Sequence, residues 1–238
     1  MDESYEREEP VRILIVYYSR FGAIKALAER IAEGVGRLSG ARAELLEVED
    51  QPLEELRPGE GADDMARRRA AVLNELTTAD ALVVGGPAYF GGMASPLKRF
   101  FEDCATASNQ VLDRTRPWHQ HLFRDKVGAA FTSSATPHGG NEQALHSILT
   151  MLMHLGLLIV TPGQRGPILE HQAAPYGATA VSGPTGNRGL SEGEAEEARY
   201  LGQRVAEVTT WVRLGAREGA RLRREEAEEA SQRFDPSA

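Results

Sequence analysis

Val11-Arg12-Ile13-Leu14-Ile15-Val16-Tyr17-Tyr18-Ser19-Arg20-Phe21-Gly22, running into Ala23-Ile24-Lys25-Ala26-Leu27-Ala28, is the stretch on which the fold turns. From Ile13 onward its first part is apolar without alternation, the pattern of a strand covered on both faces, as in a parallel sheet. After Ser-Arg-Phe-Gly the period changes. Ile24, Leu27, Ala28, Ile31, Ala32 and Val35 recur at i, i+3, i+4, i+7, i+8 and i+11, one face of a helix. A buried strand that turns through a short Ser/Gly loop into an amphipathic helix is one unit of an α/β sandwich.

Outward from there the unit recurs. Ala43–Val48 reads as a second strand, and Gln51–Asp63, with Pro52, Pro58, Gly59 and Gly61, as a loop. Asp64 is placed to cap a helix running to about Thr78. Ala81–Gly85 is a third buried strand, ending in the glycine-rich loop Gly85–Gly92. Ser95 and Pro96 read as N-cap and first helical residue of a helix to about Ala105. After a long connection, Asn109–Asp125, come a fourth strand (Val127–Thr132), a Gly/Ser/Thr-rich loop (Thr132–Gly140), a helix (Asn141–Leu155) and a fifth strand (Leu157–Val160). Gly163–Gly189 is mostly loop, with a short strand at Ala178–Val181. Ser191 and Glu194 form a capping box that starts a helix through Trp211. The expected fold is a single doubly wound α/β domain over residues 11–213, with a five-stranded parallel sheet. Residues 1–10 are an acidic N-terminal segment. Residues 214–238, rich in Arg, Glu and Ala, either prolong the last helix or fray as a solvated tail.

The 238 residues carry 27 Lys+Arg and 35 Asp+Glu, and no apolar run approaches the length of a membrane span. The N-terminus is acidic and has no apolar segment of a secretory signal. Cys104 is the one cysteine, which rules out an internal disulfide framework and a Cys-based zinc cluster and fits a reducing cytoplasm. Of the net charge of −8, the first ten residues supply −4 and residues 214–238 supply −1. The body is mildly acidic and gives no electrostatic reason to expect nucleic acid as a partner.

Three loops leave the carboxyl ends of strands, where open α/β sheets bind their ligands: Ser19–Ala23, Pro87–Gly92 and Thr132–Gly140. All are rich in small or hydroxyl residues, and none contains Asp or Glu before Gly140. The first opens a helix, whose free N–H groups and partial positive charge suit a phosphate. Ser19 adds a hydroxyl, Arg20 a charge, and Gly22 allows close approach; a plain strand-to-helix turn fits as well. The chain has no G-x-x-x-x-G-K-[ST], no G-x-G-x-x-G in the first turn and no G-x-S-x-G, and the loops lack the acidic cluster of a phosphorylatable receiver. A mononucleotide-like ligand with one phosphate and a flat ring remains. Tyr89, Phe90 and the backbone of the second loop suit the ring, and hydroxyls and N–H donors of the third suit the polar edge of a flavin.

Tyr-Tyr-Ser-Arg-Phe-Gly, Gly-Pro-Ala-Tyr-Phe-Gly-Gly-Met-Ala-Ser-Pro-Leu-Lys, Lys-Val-Gly-Ala-Ala-Phe-Thr-Ser-Ser-Ala-Thr-Pro-His-Gly-Gly-Asn-Glu, His-Leu-Gly and Pro-Tyr-Gly-Ala occur here in one order between residues 11 and 213. In this the chain resembles the flavodoxin-like NAD(P)H:quinone oxidoreductases of the WrbA type. The resemblance implies FMN as cofactor, NADH or NADPH as co-substrate, two-electron reduction of a quinone, and a homotetramer built as a dimer of dimers. By position it implies a phosphate loop of Ser19, Arg20, Phe21, Gly22, Ala23 and Ile24. It implies a ring loop of Pro87, Ala88, Tyr89, Phe90 and Gly91, and a third loop of Ser133, Ser134, Ala135, Thr136 and Gly139. His154 matches a flavin-proximal histidine, Phe21 an aromatic near the nicotinamide, and Trp118 an aromatic lining the quinone site. The chain departs from the family at Ala23, where some members have His, and at Ala88-Tyr89, where many have Thr-Arg.

His154 lies about 180° from Leu145 on a helical wheel, off the core stripe of Leu145, Ile148, Leu149 and Leu152. Its side of the helix also carries Ser147, Thr150 and Met151 without a charge, the character of a face covered by another subunit. His119 and His121 form an H-x-H beside Trp118, but a metal site needs further ligands, and none is expected. Two rival functions keep the same fold: a flavodoxin-type electron carrier, and a non-catalytic interaction protein.

Overall fold

The first strand, β1 (Val11–Tyr17), is buried at all seven positions. The computed structural model describes residues 9–111, 122–164 and 174–233, and in it β1 lies between two parallel neighbours, β2 (Ala41–Glu47) and β3 (Ala81–Tyr89). Ile13 and Ile15 face one layer of helices, Leu14 and Val16 the other, which is why the sequence does not alternate. The two-residue β4 (Gly92–Met93) folds back antiparallel on the end of β3. Beyond β3 comes β5 (Val127–Ser134), again parallel. Two short strands share the place outside it: β6 (Leu158–Ile159) pairs with Val127 and Gly128, and β7 (Ala178–Val181) with Phe131 through Ser134. The order is β2-β1-β3-β5-β6, the doubly wound arrangement expected from the sequence, with five parallel places.

On one face pack α1 (Ala23–Val35) and α5 (Glu192–Arg233), through Ile24, Leu27, Ile31, Leu201 and Val205. On the other lie α2 (Ala62–Thr78), α3 (Ser95–Val111) and α4 (Asn141–His154). α1 and α5 touch backbone to backbone. A Cβ on Gly34 would stand 1.8 Å from the carbonyl oxygen of Arg199, and one on Gly202 would stand 2.0 Å from that of Ile31. Flanking this contact, Arg199 donates to Glu33 at 2.9 Å and Arg37 grips Glu196 with bonds of 2.9 and 3.0 Å.

Several boundaries differ from the sequence reading. Asp64 does not cap α2. The helix starts at Ala62 with Gly61 as N-cap, and the Asp64 carboxylate reaches back to accept the Gly61 N–H at 3.1 Å, the second half of a capping box. α3 begins one residue early: the Lys98 N–H bonds the Ala94 carbonyl, which puts Ser95 inside the helix. α3 also runs on to Val111. Pro87, Ala88 and Tyr89 belong to β3, because they continue its ladder with β5 and then β4. The last helix does not stop at Trp211 but continues to Arg233. Among the described residues its last buried side chain is Thr209.

The amino ends of the strands carry a charge cluster. Arg12, 9% exposed, donates to Glu44 at 2.7 Å and to the Thr78 hydroxyl at 2.6 Å, and pairs with Glu75. The Arg12 backbone N–H donates to Asp80 at 2.7 Å, and Asp80 faces Arg213 of α5 at 3.6 Å. Lys126, half-buried beside the Phe123 ring, donates to the Thr77 carbonyl. Among the described residues no helix is long and apolar enough to cross a membrane.

A candidate flavin cleft at the carboxyl ends of the strands

Where β1 ends, the chain must turn into α1 at once, and Gly22 makes the turn. It is the N-cap of α1 with φ 95°, a left-handed conformation that side chains with a Cβ rarely adopt. Gly22 itself has no side chain with which to cap the helix. Ser19 Oγ accepts the Lys25 N–H at 3.2 Å, and the first intrahelical bond runs from Ala26 to Gly22. The N–H groups of Ala23 and Ile24 have no intrahelical partner by helix geometry, and they point out of the N-terminus with the positive end of the helix dipole.

This terminus opens into a cleft of about 190 Å³. The loop after β1 contributes Ser19, Arg20, Phe21, Ala23 and Ile24; the end of β3 contributes Pro87, Ala88 and Tyr89; the end of β5 contributes Ser133, Ser134 and Ala135. Eleven residues proposed from sequence therefore meet at one place. Among the described residues no carboxylate lines it, so nothing in that lining repels an anion. Arg20 stands over the Phe21 ring at 5.6 Å, and both are exposed at the rim.

A fourth wall escaped the sequence reading. Ser182, Gly183, Pro184, Thr185 and Gly186, which follow β7, also line the cleft. Gly186 has φ 75°, and a Cβ there would stand 2.9 Å from Phe21 Cβ. The Ser182 N–H donates to the Ser134 carbonyl at 2.8 Å, joining this wall to the third loop. Glu194 fixes its base by accepting the N–H groups of Val181 at 2.8 Å and Ser191 at 2.7 Å and by pairing with Arg188. The signal was the one that marked the other loops: small and hydroxyl residues just after a strand.

Other proposed residues sit beside the cleft. Thr136 and Gly139 form the turn behind Ser134, whose hydroxyl donates to the Thr136 carbonyl at 2.7 Å. Phe90 and Gly91 form the two-residue turn between β3 and β4, with φ 51° and 73°, and Phe90 projects wholly into solvent. Behind the third loop, Asn141 Oδ1 is buried without a hydrogen-bond partner among the described residues. Tyr18, next to the phosphate loop, donates its hydroxyl to Asp50 at 2.8 Å; burial, then that bond, pushes its pKa up to about 12.

His154 is elsewhere. It stands exposed in the last turn of α4 and lines a separate apolar hollow of about 720 Å³, with Met93, Phe101, Ala105, Met151 and Leu155. Within one chain it does not join the cleft. Trp118, His119, His121 and His171 lie outside the described residues. Among the described residues no cluster of three His, Cys, Asp or Glu is arranged to hold a metal.

Fold and cleft together define a flavodoxin-like protein with an open helix N-terminus at its strand-end cleft. The cleft fits FMN by its donor set: open N–H groups and a serine at one end, backbone, Tyr89 and serines at the other, and no opposing carboxylate. The sequence profile of the NADPH-dependent FMN reductase family matches residues 12–166, and the chain belongs to that family, in its WrbA-type branch, as an FMN-dependent oxidoreductase. It is 37% identical over 211 residues to the NAD(P)H dehydrogenase (quinone) of Gluconacetobacter diazotrophicus, covering 83% of this chain and 96% of that protein. With the NAD(P)H dehydrogenase (quinone) of Methylocella silvestris it shares 38% over 203 residues, with the same coverages. Among solved structures it is similar to a flavodoxin, WrbA-like protein from Agrobacterium tumefaciens, at TM-score 0.55 and 25% identity over 84% of this chain and 98% of that one. An archaeal flavodoxin, at TM-score 0.52 and 19% identity over 84% and 99%, shares the fold.

Proposed function

We propose that this chain is a cytoplasmic NAD(P)H:quinone oxidoreductase that reduces quinones by two electrons in a ping-pong cycle and works as a homotetramer. The observation that carries the reading is the convergence of four strand-end loops on one acid-free cleft at the N-terminus of α1, in a chain of the FMN reductase family. FMN, when bound, supplies the hydride-accepting and hydride-donating chemistry. The chain's own residues bind and orient. The N–H groups of Ala23 and Ile24, with Ser19 and Arg20, hold the phosphate. Pro87, Ala88, Tyr89, Phe90 and Gly91 flank the ring. Ser133, Ser134 and Ala135, braced by Thr136 and Gly139, present donors to its polar edge. Phe21, exposed at the rim, offers a stacking surface to the nicotinamide. The two substrates use the same opening in turn.

His154 serves this chemistry as the proton donor or orienting group at the quinone, because an imidazole can donate a proton or a hydrogen bond to a quinone oxygen. Its distance from its own cleft is what supports shared sites: a neighbouring copy seated on the apolar hollow would bring His154 of one chain to the FMN of another. Steady-state oxidation of NADH and NADPH with benzoquinone tests the activity, and parallel initial-rate lines test the cycle. An electron carrier would bind FMN and show no such turnover; an interaction protein would show no flavin band after addition of FMN. His154→Ala is expected to keep FMN and lose about tenfold in quinone turnover. Light scattering after size exclusion tests the assembly: a fully active monomer overturns shared sites.

A further inference from the structure

The first turn of α5 does two jobs with one carboxylate. Glu194 Oε2 accepts the Ser191 N–H at 2.7 Å, and Ser191 Oγ accepts the Glu194 N–H at 3.2 Å, which completes the capping box expected from the sequence. That exchange needs only one carboxylate oxygen. The other, Oε1, reaches back to the Val181 N–H at 2.8 Å and pairs with Arg188. Arg188 in turn donates its Nε to the Val181 carbonyl and its backbone N–H to the Ser182 carbonyl, the latter at 2.9 Å. Val181 ends β7, which among the described residues pairs with β5 alone. Both of its backbone groups are thus taken by the Arg188–Glu194 pair, and the wall Ser182–Gly186 leaves the sheet from a closed base. The Glu194 side chain is only 13% exposed, where a bond to a charged group is less weakened by water.

What Glu194 stands on is rigid. α5 meets α1 backbone to backbone at Gly34 and Gly202, and Arg199 bonds Glu33 across the contact at 2.9 Å. α1 brings its open N-terminus to the cleft, and α5 brings Glu194 to the base of the wall. The wall then returns to the loop before α1. Gly186 is buried, and a Cβ on it would stand 2.9 Å from Phe21 Cβ. Pro184 and Thr185, between base and tip, are exposed. With so little of the wall packed, its place is set at its two ends, by the Arg188–Glu194 pair and by Phe21.

We propose that Glu194, acting with Arg188, is a positioning residue of the cleft: it carries the docking of α5 on α1 over to the wall Ser182–Gly186 and so fixes where that wall stands against Phe21. Neither residue lines the cleft itself. Their effect on a ligand passes through the backbone they hold, because a binding wall made of small residues is only as well placed as the groups that support it. The proposal rests on the reading of this cleft as the FMN site.

The experiment compares full-length variants with the parent by flavin fluorescence titration, by urea melts and by hydrogen exchange of the amides of residues 181–186 without FMN. Glu194→Ala is expected to weaken FMN binding about tenfold, the scale of one lost bond to a charged group, and to speed exchange in the wall. Arg188→Met leaves the capping box intact and is expected to weaken FMN about threefold; it carries the test if Glu194→Ala does not fold. Ser191→Ala removes the other half of the capping box. It should lower the urea midpoint, as Glu194→Ala does, yet keep the parent's FMN affinity and wall exchange. In Gly186→Val the wall is already displaced, so adding Glu194→Ala should cost no further FMN affinity. Parent-like affinity and wall exchange in both Glu194→Ala and Arg188→Met would overturn the proposal. So would an equal loss of FMN in Ser191→Ala, which would reduce Glu194 to a helix cap, or losses that multiply in the Gly186→Val, Glu194→Ala pair. A parent chain that takes up no FMN would overturn the reading of the cleft, and this proposal with it.

Discussion

The two ends of the sheet use polar groups in opposite ways. At the amino ends, Arg12, Glu44, Glu75, Asp80 and Arg213 are close-packed charges, and each meets an opposite charge within the chain. At the carboxyl ends the described residues of the cleft include a single charged side chain, Arg20, beside hydroxyl, glycine and apolar residues. By charge density the first end is the more conspicuous. By open valence it is the second, since the first turn of α1 has N–H groups that no side chain caps. Charges that answer one another hold a fold together, whereas uncommitted donors aimed into a cleft bind a ligand.

The largest effect expected from this contrast is at Gly22. Valine there must adopt φ near 95°, although no atom lies within 4 Å of the added Cβ. The strain falls on the backbone that presents the N–H groups. FMN affinity should drop by about a hundredfold, or 2–3 kcal/mol, in a titration followed by flavin fluorescence quenching. Unchanged affinity in a folded variant would remove the phosphate loop from the site.

Arg12→Leu should do the reverse. It strands Glu44 and Glu75 and costs about 2 kcal/mol of unfolding free energy, the low side for a buried pair because both carboxylates reach water. Its FMN affinity should match the parent's. A comparable loss of flavin binding would show that the two ends are coupled.

Gly186→Val tests the wall missed in the sequence. With φ 75° and the Phe21 side chain 2.9 Å from the new Cβ, the loop has to shift, and FMN affinity should fall about tenfold. If only nicotinamide oxidation slows, the wall positions Phe21 and not FMN.

The smallest effect is at Lys126. Burial pushes its pKa down to about 8 from 10.5, so between those values the unfolded chain holds a proton that the folded chain has lost. Stability therefore rises with pH across that window. Lys126→Met should remove a rise of about 1 kcal/mol in urea-melt stability. The comparison is best read below pH 10. Above it Tyr17 and Tyr18, with pKa values pushed up to about 12 chiefly by burial, make stability fall as pH climbs. Identical pH profiles would mean that Lys126 keeps its charge in the fold.

The elements were legible because two periods separate cleanly in this chain. Ile13–Val16 is apolar at every step, and Ile24 to Val35 repeats at helical spacing. Three cleft walls were legible because each follows a strand and is built of small or hydroxyl residues. The fourth, Ser182–Gly186, has the same composition but follows a strand of four residues, Ala178–Val181, too short to announce a place in a sheet. Its partner is fixed by pairing with β5, and pairing is not a property of either segment alone. The boundary at Asp64 moved because a carboxylate caps a helix equally well from the N-cap or from three residues inside it.

Sequence by itself determined the alternation of strand and helix, the parallel character of the sheet and the residue types at the strand ends, because these follow from local periodicity and turn chemistry. Only the tertiary structure decided which loops share a cleft, that His154 faces a different hollow from the one its own loops build, and that α5 keeps contact with the domain as far as Arg213. Those outcomes depend on strand order and on backbone contacts such as Gly34 against Arg199, which join residues far apart in the chain and leave no periodic trace within it.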